Sequence, residues 1–149
     1  MGEEIRHSHF RPRDFEVFQA RLAEETRLLG RWFAEGCFST DVPVCGLEME
    51  AWLIDADGRP APLNRAFLDA LQHPLVVPEL ARFNVELNVN PQPLHAAALS
   101  ALENELRQTW SECIRVAAGL GARLAMVGIL PSVRQDDLTL ANMSDLKRY

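Results

Sequence analysis

Two short stretches carry carboxylates at a spacing that can hold a cation. In Val44-Cys45-Gly46-Leu47-Glu48-Met49-Glu50-Ala51-Trp52-Leu53-Ile54, apolar and polar residues alternate. Successive side chains of a strand point to opposite faces. Cys45, Leu47, Met49, Ala51 and Leu53 therefore form an apolar row, while Glu48, Glu50 and Trp52 share the other face. The stretch Phe83-Asn84-Val85-Glu86-Leu87-Asn88-Val89-Asn90 repeats the design. Phe83, Val85, Leu87 and Val89 fall on one side, and Asn84, Glu86, Asn88 and Asn90 on the other. Glutamate is not a favoured strand residue, and two on one face lie roughly 6.5 to 7 Å apart by strand geometry, close enough to repel in a partly desolvated site. A hard divalent cation relieves that repulsion. Magnesium takes oxygen ligands octahedrally, through one or two carboxylates plus water and substrate phosphates. Glu48, Glu50 and Glu86 are therefore candidate magnesium ligands. The same pattern also fits the solvent-facing side of an antiparallel sheet, which is often wet on one face.

The surrounding sequence predicts the elements that position these residues. Val44 to Ile54 reads as one strand, and Asp55-Ala56-Asp57-Gly58 as the turn of a hairpin. Two prolines in the return arm, Arg59-Pro60-Ala61-Pro62-Leu63, restrict it to a short edge segment or a loop. Asn64 is expected to cap a short helix ending at Leu71, with Gln72-His73-Pro74 as its break and Pro78 ahead of the second carboxylate strand. After Pro91 and Pro93, Leu99, Leu102, Leu106, Trp110, Cys113, Ile114 and Ala117 mark one face of a long helix that Gly119 and Gly121 end. Arg123 to Leu130 reads as a third strand, stopped by Pro131. Upstream, Phe15, Phe18, Leu22, Leu29, Trp32 and Phe33 recur at helical spacing between Asp14 and about Glu35, with Gly36 as a stop. The expected class is α+β, a largely antiparallel sheet with flanking long helices. Residues 1–12 read as a flexible arm and 13–149 as a single α+β domain.

Composition narrows the function classes. A chain of 149 residues has the size of one domain. Its net charge of -6 argues against a nucleic-acid partner, which needs clustered Lys and Arg. No apolar stretch is long enough for a membrane span, and the polar start lacks the apolar region of a secretory signal, so a cytoplasmic location is the default expectation. Cys37, Cys45 and Cys113 are odd in number, with no Cys-x-x-Cys pair, which supports neither a disulfide framework nor a zinc site. His7 and His9 read as part of a solvated arm, and His73 and His95 as turn neighbours without a nucleophile to serve. Trp32 and Trp110 fit helix core faces. Trp52 lies beside the carboxylates, with packing favoured over ligand contact. Arg134-Gln135-Asp136-Asp137 reads as a solvated loop whose aspartates are within conceivable reach of a metal.

The order of these parts carries a resemblance. Gly46-Leu47-Glu48-Met49-Glu50, then Phe83-Asn84-Val85-Glu86-Leu87-Asn88, a long helix from about His95, the strand Leu124 to Leu130 and a closing Arg148-Tyr149 together resemble the opening of a glutamate-cysteine ligase. Those enzymes belong to the glutamine-synthetase-like carboxylate-amine ligase superfamily. The resemblance covers about residues 40 to 149 and implies a partial glutamine-synthetase-like catalytic domain, the amino-terminal part of a larger one. It implies ATP- and magnesium-dependent joining of glutamate to an amine acceptor such as cysteine, giving a γ-glutamyl amide through an acyl-phosphate, as in glutathione biosynthesis. On this resemblance Glu48, Glu50 and Glu86 correspond to metal ligands, and Arg148 to a catalytic cation near substrate or phosphate. The chemistry is coherent. A carboxylate is a poor electrophile until phosphorylated, and ATP beside glutamate concentrates negative charge that metal ions and arginines must offset.

The chain also departs from that pattern. The later strands that supply further ligands, ATP contacts and arginines do not follow Tyr149, and Gly128-Ile129-Leu130-Pro131-Ser132 lacks the histidine that many relatives carry there. The expectation is an incomplete ligase. Two other classes stay open. One is a noncatalytic interaction module that keeps the ligase sheet, whose unpaired edges invite a homo-oligomer or a missing carboxy-terminal portion. The other is a simple divalent-metal protein using the glutamates with His7 and His9.

Overall fold

Residues 9–146 are described by the computed structural model, and they divide into two compact units, one running up to Val42 and one spanning Pro43–Asp145. In the second unit, alternation of side chains along two strands sets the layers. Strands β1 (Val44–Cys45), β2 (Glu48–Ile54), β3 (Val76–Pro78), β4 (Asn84–Asn88), β5 (Gln92–Pro93) and β6 (Arg123–Ala125) accompany helices α2 (Asn64–Leu71) and α3 (Ala98–Gly119). A four-stranded sheet runs in the order β3-β4-β2-β6, and β1 and β5 form a separate pair. Every pairing is antiparallel. The unit is α+β, as the sequence predicts.

The apolar row of each carboxylate strand forms the core. Ala51, Leu53, Val85 and Leu87 are completely buried and cluster with Val76 of β3, Phe67 of α2, and Cys113 and Ala117 of α3. The helices thus cover one sheet face. On α3, Ala98, Leu102, Thr109, Cys113 and Ala117 are buried at helical spacing, and Trp110 packs against the cluster as expected. The predicted turn after β2 also forms. Asp55 Oδ1 accepts from the N–H groups of Asp57 and Arg59 at 2.9 and 2.8 Å, and Gly58 takes φ 75°, a conformation that suits glycine. The return arm contributes a single bridge, Ile54 to Pro60.

Four local expectations are corrected. The strand expected over Val44 to Ile54 is broken at Gly46-Leu47, because β1 turns aside to pair with β5. Asn64 does not cap α2, whose N-cap is Leu63. Its buried Nδ2 instead donates to the carbonyls of Ala81 and Asn84 and, at 2.8 Å, to Ser144 Oγ, tying three segments together. The third strand stops at Ala125 and does not reach Leu130; two residues beyond its end the Val127 carbonyl accepts from the Trp52 indole at 2.9 Å. Phe83 leaves the apolar row, lying in the turn before β4 with its ring stacked on Trp52 at 5.8 Å.

The first unit holds α1 (Pro12–Glu35). Pro12 opens it, Asp14 accepts from the Arg11 N–H at 2.7 Å, and Gly36 closes it in the left-handed conformation at φ 67°. The helix forms where its apolar spacing predicts, with a start two residues earlier. None of its residues is buried, so Trp32 is not the core residue its spacing implies.

Two measurements probe this packing. Phe67→Ala should cost about 3–5 kcal/mol of unfolding free energy in urea, the range for emptying a packed aromatic site. Burial, with the Glu112 carboxylate adding to it, pushes the Cys113 thiol up to about 12 from an ordinary 9.0. The folded state therefore favours the protonated thiol. That contribution to stability is complete below about pH 9 and is lost as pH rises toward 12. At pH 8 a thiol reagent should modify exposed Cys37 in the native chain and reach Cys113 only upon unfolding.

Candidate functional site

The register between β2 and β4 places the candidate ligands. Glu48 faces Asn88, Glu50 faces Glu86 and Trp52 faces Asn84. Directly opposed residues share a face, with Cβ atoms about 4.5–5.5 Å apart. Glu48, Glu50 and Glu86 therefore project together from the side opposite the core, as their alternation predicts. Glu48 and Glu50 are exposed and Glu86 is half-buried.

Among the described residues no Lys or Arg pairs with this face. Like charges directly across a ladder are destabilising, and Glu50 meets Glu86 in that arrangement. Glu48 and Glu50 make no hydrogen bond or ion pair among the described residues. Glu86 Oε1 accepts from Asn88 Nδ2 at 2.9 Å, which steadies that carboxylate without neutralising it. Among the described residues no group of three His, Cys, Asp or Glu side chains closes into a metal cage. A floor of this kind suits a cation that keeps water and substrate oxygens in its shell, as magnesium does.

At the next position along the face the residues are anchored. Trp52 is held by its bond to Val127 and its stacking on Phe83, a packing role. Opposite it, Asn84 is buried, and its Oδ1 has no partner among the described residues, an uncommon state for a buried acceptor. Sequence reasoning placed Asn84 and Asn88 in the polar row without assigning either a role. The signal for Asn88 was its i,i+2 spacing from Glu86. A cavity of about 280 Å³ adjoins Phe83 and is lined mainly by Leu80, Leu138, Leu140 and Met143; none of the three glutamates borders it.

Other candidates stand apart from this face. Asp137 is committed to Arg59 at 3.1 Å and to the Arg134 N–H at 2.7 Å, which holds a short 3-10 turn. His73 Nδ1 accepts from the Leu75 N–H at 3.3 Å, and the His95 carbonyl accepts from the Ala98 N–H at the entry to α3. His7 and Arg148 lie outside the described residues.

Comparison with known proteins bears on this region. The family model for glutamate-cysteine ligase family 2 (GCS2) matches residues 44–149. No curated protein and no solved structure shows a significant match. The matched span starts at the first residue of β1 and takes in both carboxylate strands, both helices of the second unit and β6. With most of its length and the whole carboxylate face inside that span, the chain belongs to glutamate-cysteine ligase family 2.

Proposed function

We propose that the β2–β4 face is the magnesium floor of an ATP-dependent carboxylate-amine ligase. The observation that carries this reading is the register that sets Glu50 against Glu86 with Glu48 alongside, three carboxylates on one face with no ion pair to any of them among the described residues. Family membership supports the reaction class. Magnesium, when bound, offsets the charge of the nucleotide phosphates. Glu48, Glu50 and Glu86 hold it, Asn88 orients the Glu86 carboxylate, and the Trp52 anchor fixes the far end of the strand that carries two of the three. In the proposed reaction a carboxylate oxygen of the glutamate side chain attacks the terminal phosphorus of ATP, and ADP leaves. The nitrogen of an amine such as that of cysteine then attacks the acyl carbon, phosphate leaves with the C–O electron pair, and the nitrogen gives up its extra proton to solvent. Arg148 is proposed as the cation that steadies the transferring phosphoryl group.

Exposed apolar residues favour a second reading. Ile129 is 83% exposed and Leu140 85% exposed, which suits a noncatalytic module that docks a partner. Calorimetric titration with a non-hydrolysable ATP analogue, with and without magnesium, separates the two. Magnesium-dependent binding should appear in the parent chain and vanish in Glu48→Gln and Glu86→Gln. A folded parent chain that binds no nucleotide would overturn the ligase floor and leave the docking module.

The opposed carboxylates give a second, independent test. Glu50→Gln should raise unfolding free energy by about 0.2–1 kcal/mol without divalent ions, the range for a cross-strand pair, and magnesium should shrink that gain. Equal stability of the two chains at every magnesium concentration would identify the face as an ordinary wet surface.

A further inference from the structure

The cavity beside Phe83 lies wholly within the second unit and measures about 280 Å³, with Leu80, Phe83, Leu138, Leu140 and Met143 as its main walls. An apolar cavity of roughly 150 Å³ already holds benzene, so this one admits a whole aromatic or branched aliphatic group. Its two walls are fastened to each other by the bridge between Ala81 and Met143 and by the Arg82 N–H, which donates to the Asn142 carbonyl at 2.7 Å. The polar side chains in the wall serve the loop itself. Asp137 pairs with Arg59, and Asn142 Nδ2 donates to the Asp137 carbonyl at 2.9 Å. A heterocycle with several ring nitrogens to satisfy finds few partners there, whereas a hydrocarbon group gains by leaving water.

A cation stands at the rim. Arg82 falls between two lining residues, Ala81 and Phe83, and its guanidinium donates at 3.3 Å to the carbonyl of Ala141, which falls between lining residues Leu140 and Asn142. Arg82 is exposed and makes no ion pair among the described residues, so the rest of its planar fork is open to a carboxylate. An apolar pocket beside an open guanidinium has the complementarity of an α-amino acid with a large hydrocarbon side chain. The cavity also connects to the carboxylate face. Phe83 stacks on Trp52, which shares that face with Glu48 and Glu50, and it precedes Glu86 by three residues, no more than about 11 Å of chain. That separation leaves room for a glutamyl group between the two sites. Resting on the ligase reading of the face, we propose that this cavity seats the amine acceptor, and that the acceptor is an α-amino acid with a bulky apolar side chain whose carboxylate lies on Arg82.

Calorimetric titration of the full chain with L-phenylalanine, L-leucine, L-cysteine and phenethylamine, without nucleotide, tests the cavity. Phenylalanine and leucine should bind at least tenfold more tightly than cysteine. Arg82→Gln should weaken phenylalanine at least tenfold and leave phenethylamine, which has no carboxylate, unchanged; a merely structural role for Arg82 would weaken both. Leu80→Asp, at a wall position that is already half-exposed, should weaken both with helix content unchanged. Manganese accepts the same oxygen ligands as magnesium and reports proximity. It should broaden the proton resonances of bound phenylalanine, and Glu86→Gln should abolish the broadening without changing phenylalanine affinity. A folded parent that holds phenylalanine no more tightly than cysteine would overturn the proposal, even with magnesium-dependent nucleotide binding intact. Adenosine displacing phenylalanine, or phenylalanine bound without broadening, would overturn it as well. Arginine-dependent phenylalanine binding in a chain that takes no magnesium nucleotide would instead bring down the ligase reading, and the acceptor role with it.

Discussion

The pairing of β2 with β4 in one particular register is the constraint on which the second unit depends. Because side chains alternate, a slip of one residue would move every apolar residue of a strand to the front and every carboxylate into the core. Ala51, Leu53, Val85 and Leu87 are completely buried on the back in the observed register. The same register sets Glu50 against Glu86 on the front. Packing and site geometry are thus one specification. The magnitudes agree with this. Fully burying each Val or Leu side chain contributes about 1.5–3 kcal/mol, whereas an opposed like-charge pair costs about 0.2–1 kcal/mol. The core holds the carboxylates together against their own repulsion.

Contacts at the strand ends keep that register from sliding. β2 has neighbours on both sides, and beyond its carboxylates the Trp52 indole is fixed by Val127 and by Phe83. The Asp55 turn closes the chain immediately after β2. Around β4, Asn64 reaches the Ala81 and Asn84 carbonyls and Ser144 Oγ, while Ser144 Oγ donates in turn to the Glu79 carbonyl. A buried amide with several partners specifies one arrangement, because losing any of them leaves a polar group unsatisfied in the interior.

What the sequence made legible follows from periodicity. Two-residue alternation identified the front and back of both carboxylate strands, and 3.6-residue spacing identified α1 and α3. What it hid depends on partners distant in the chain. Nothing in Val44-Cys45 announces pairing with Gln92-Pro93 in a second sheet. β3, at Val76–Pro78, is too short and too close to prolines to register as a strand. Asn64 stands where a helix cap belongs, and only the approach of Ser144, 80 residues later, recruits its amide elsewhere. Phe83 fits the alternation but answers to the Trp52 ring. For α1, periodicity reveals an apolar face without revealing what covers it.

The cations near the sheet explain which kind of ligand its front can take. Arg59 is paired with Asp137, Arg82 donates to the Ala141 carbonyl and Arg123 to the Ala56 carbonyl. These guanidinium groups fasten loops and leave the carboxylates alone. Two of the three glutamates are exposed, and their fields add where the strands lie closest. An anion approaching by itself meets repulsion there, whereas a hard cation meets oxygen donors already gathered at ladder spacing. Against the described carboxylates, a polyphosphate is repelled less in company with a counter-cation. The charge of two adjacent strands thus bears on the metal of the proposed reaction before any question of which amine is joined.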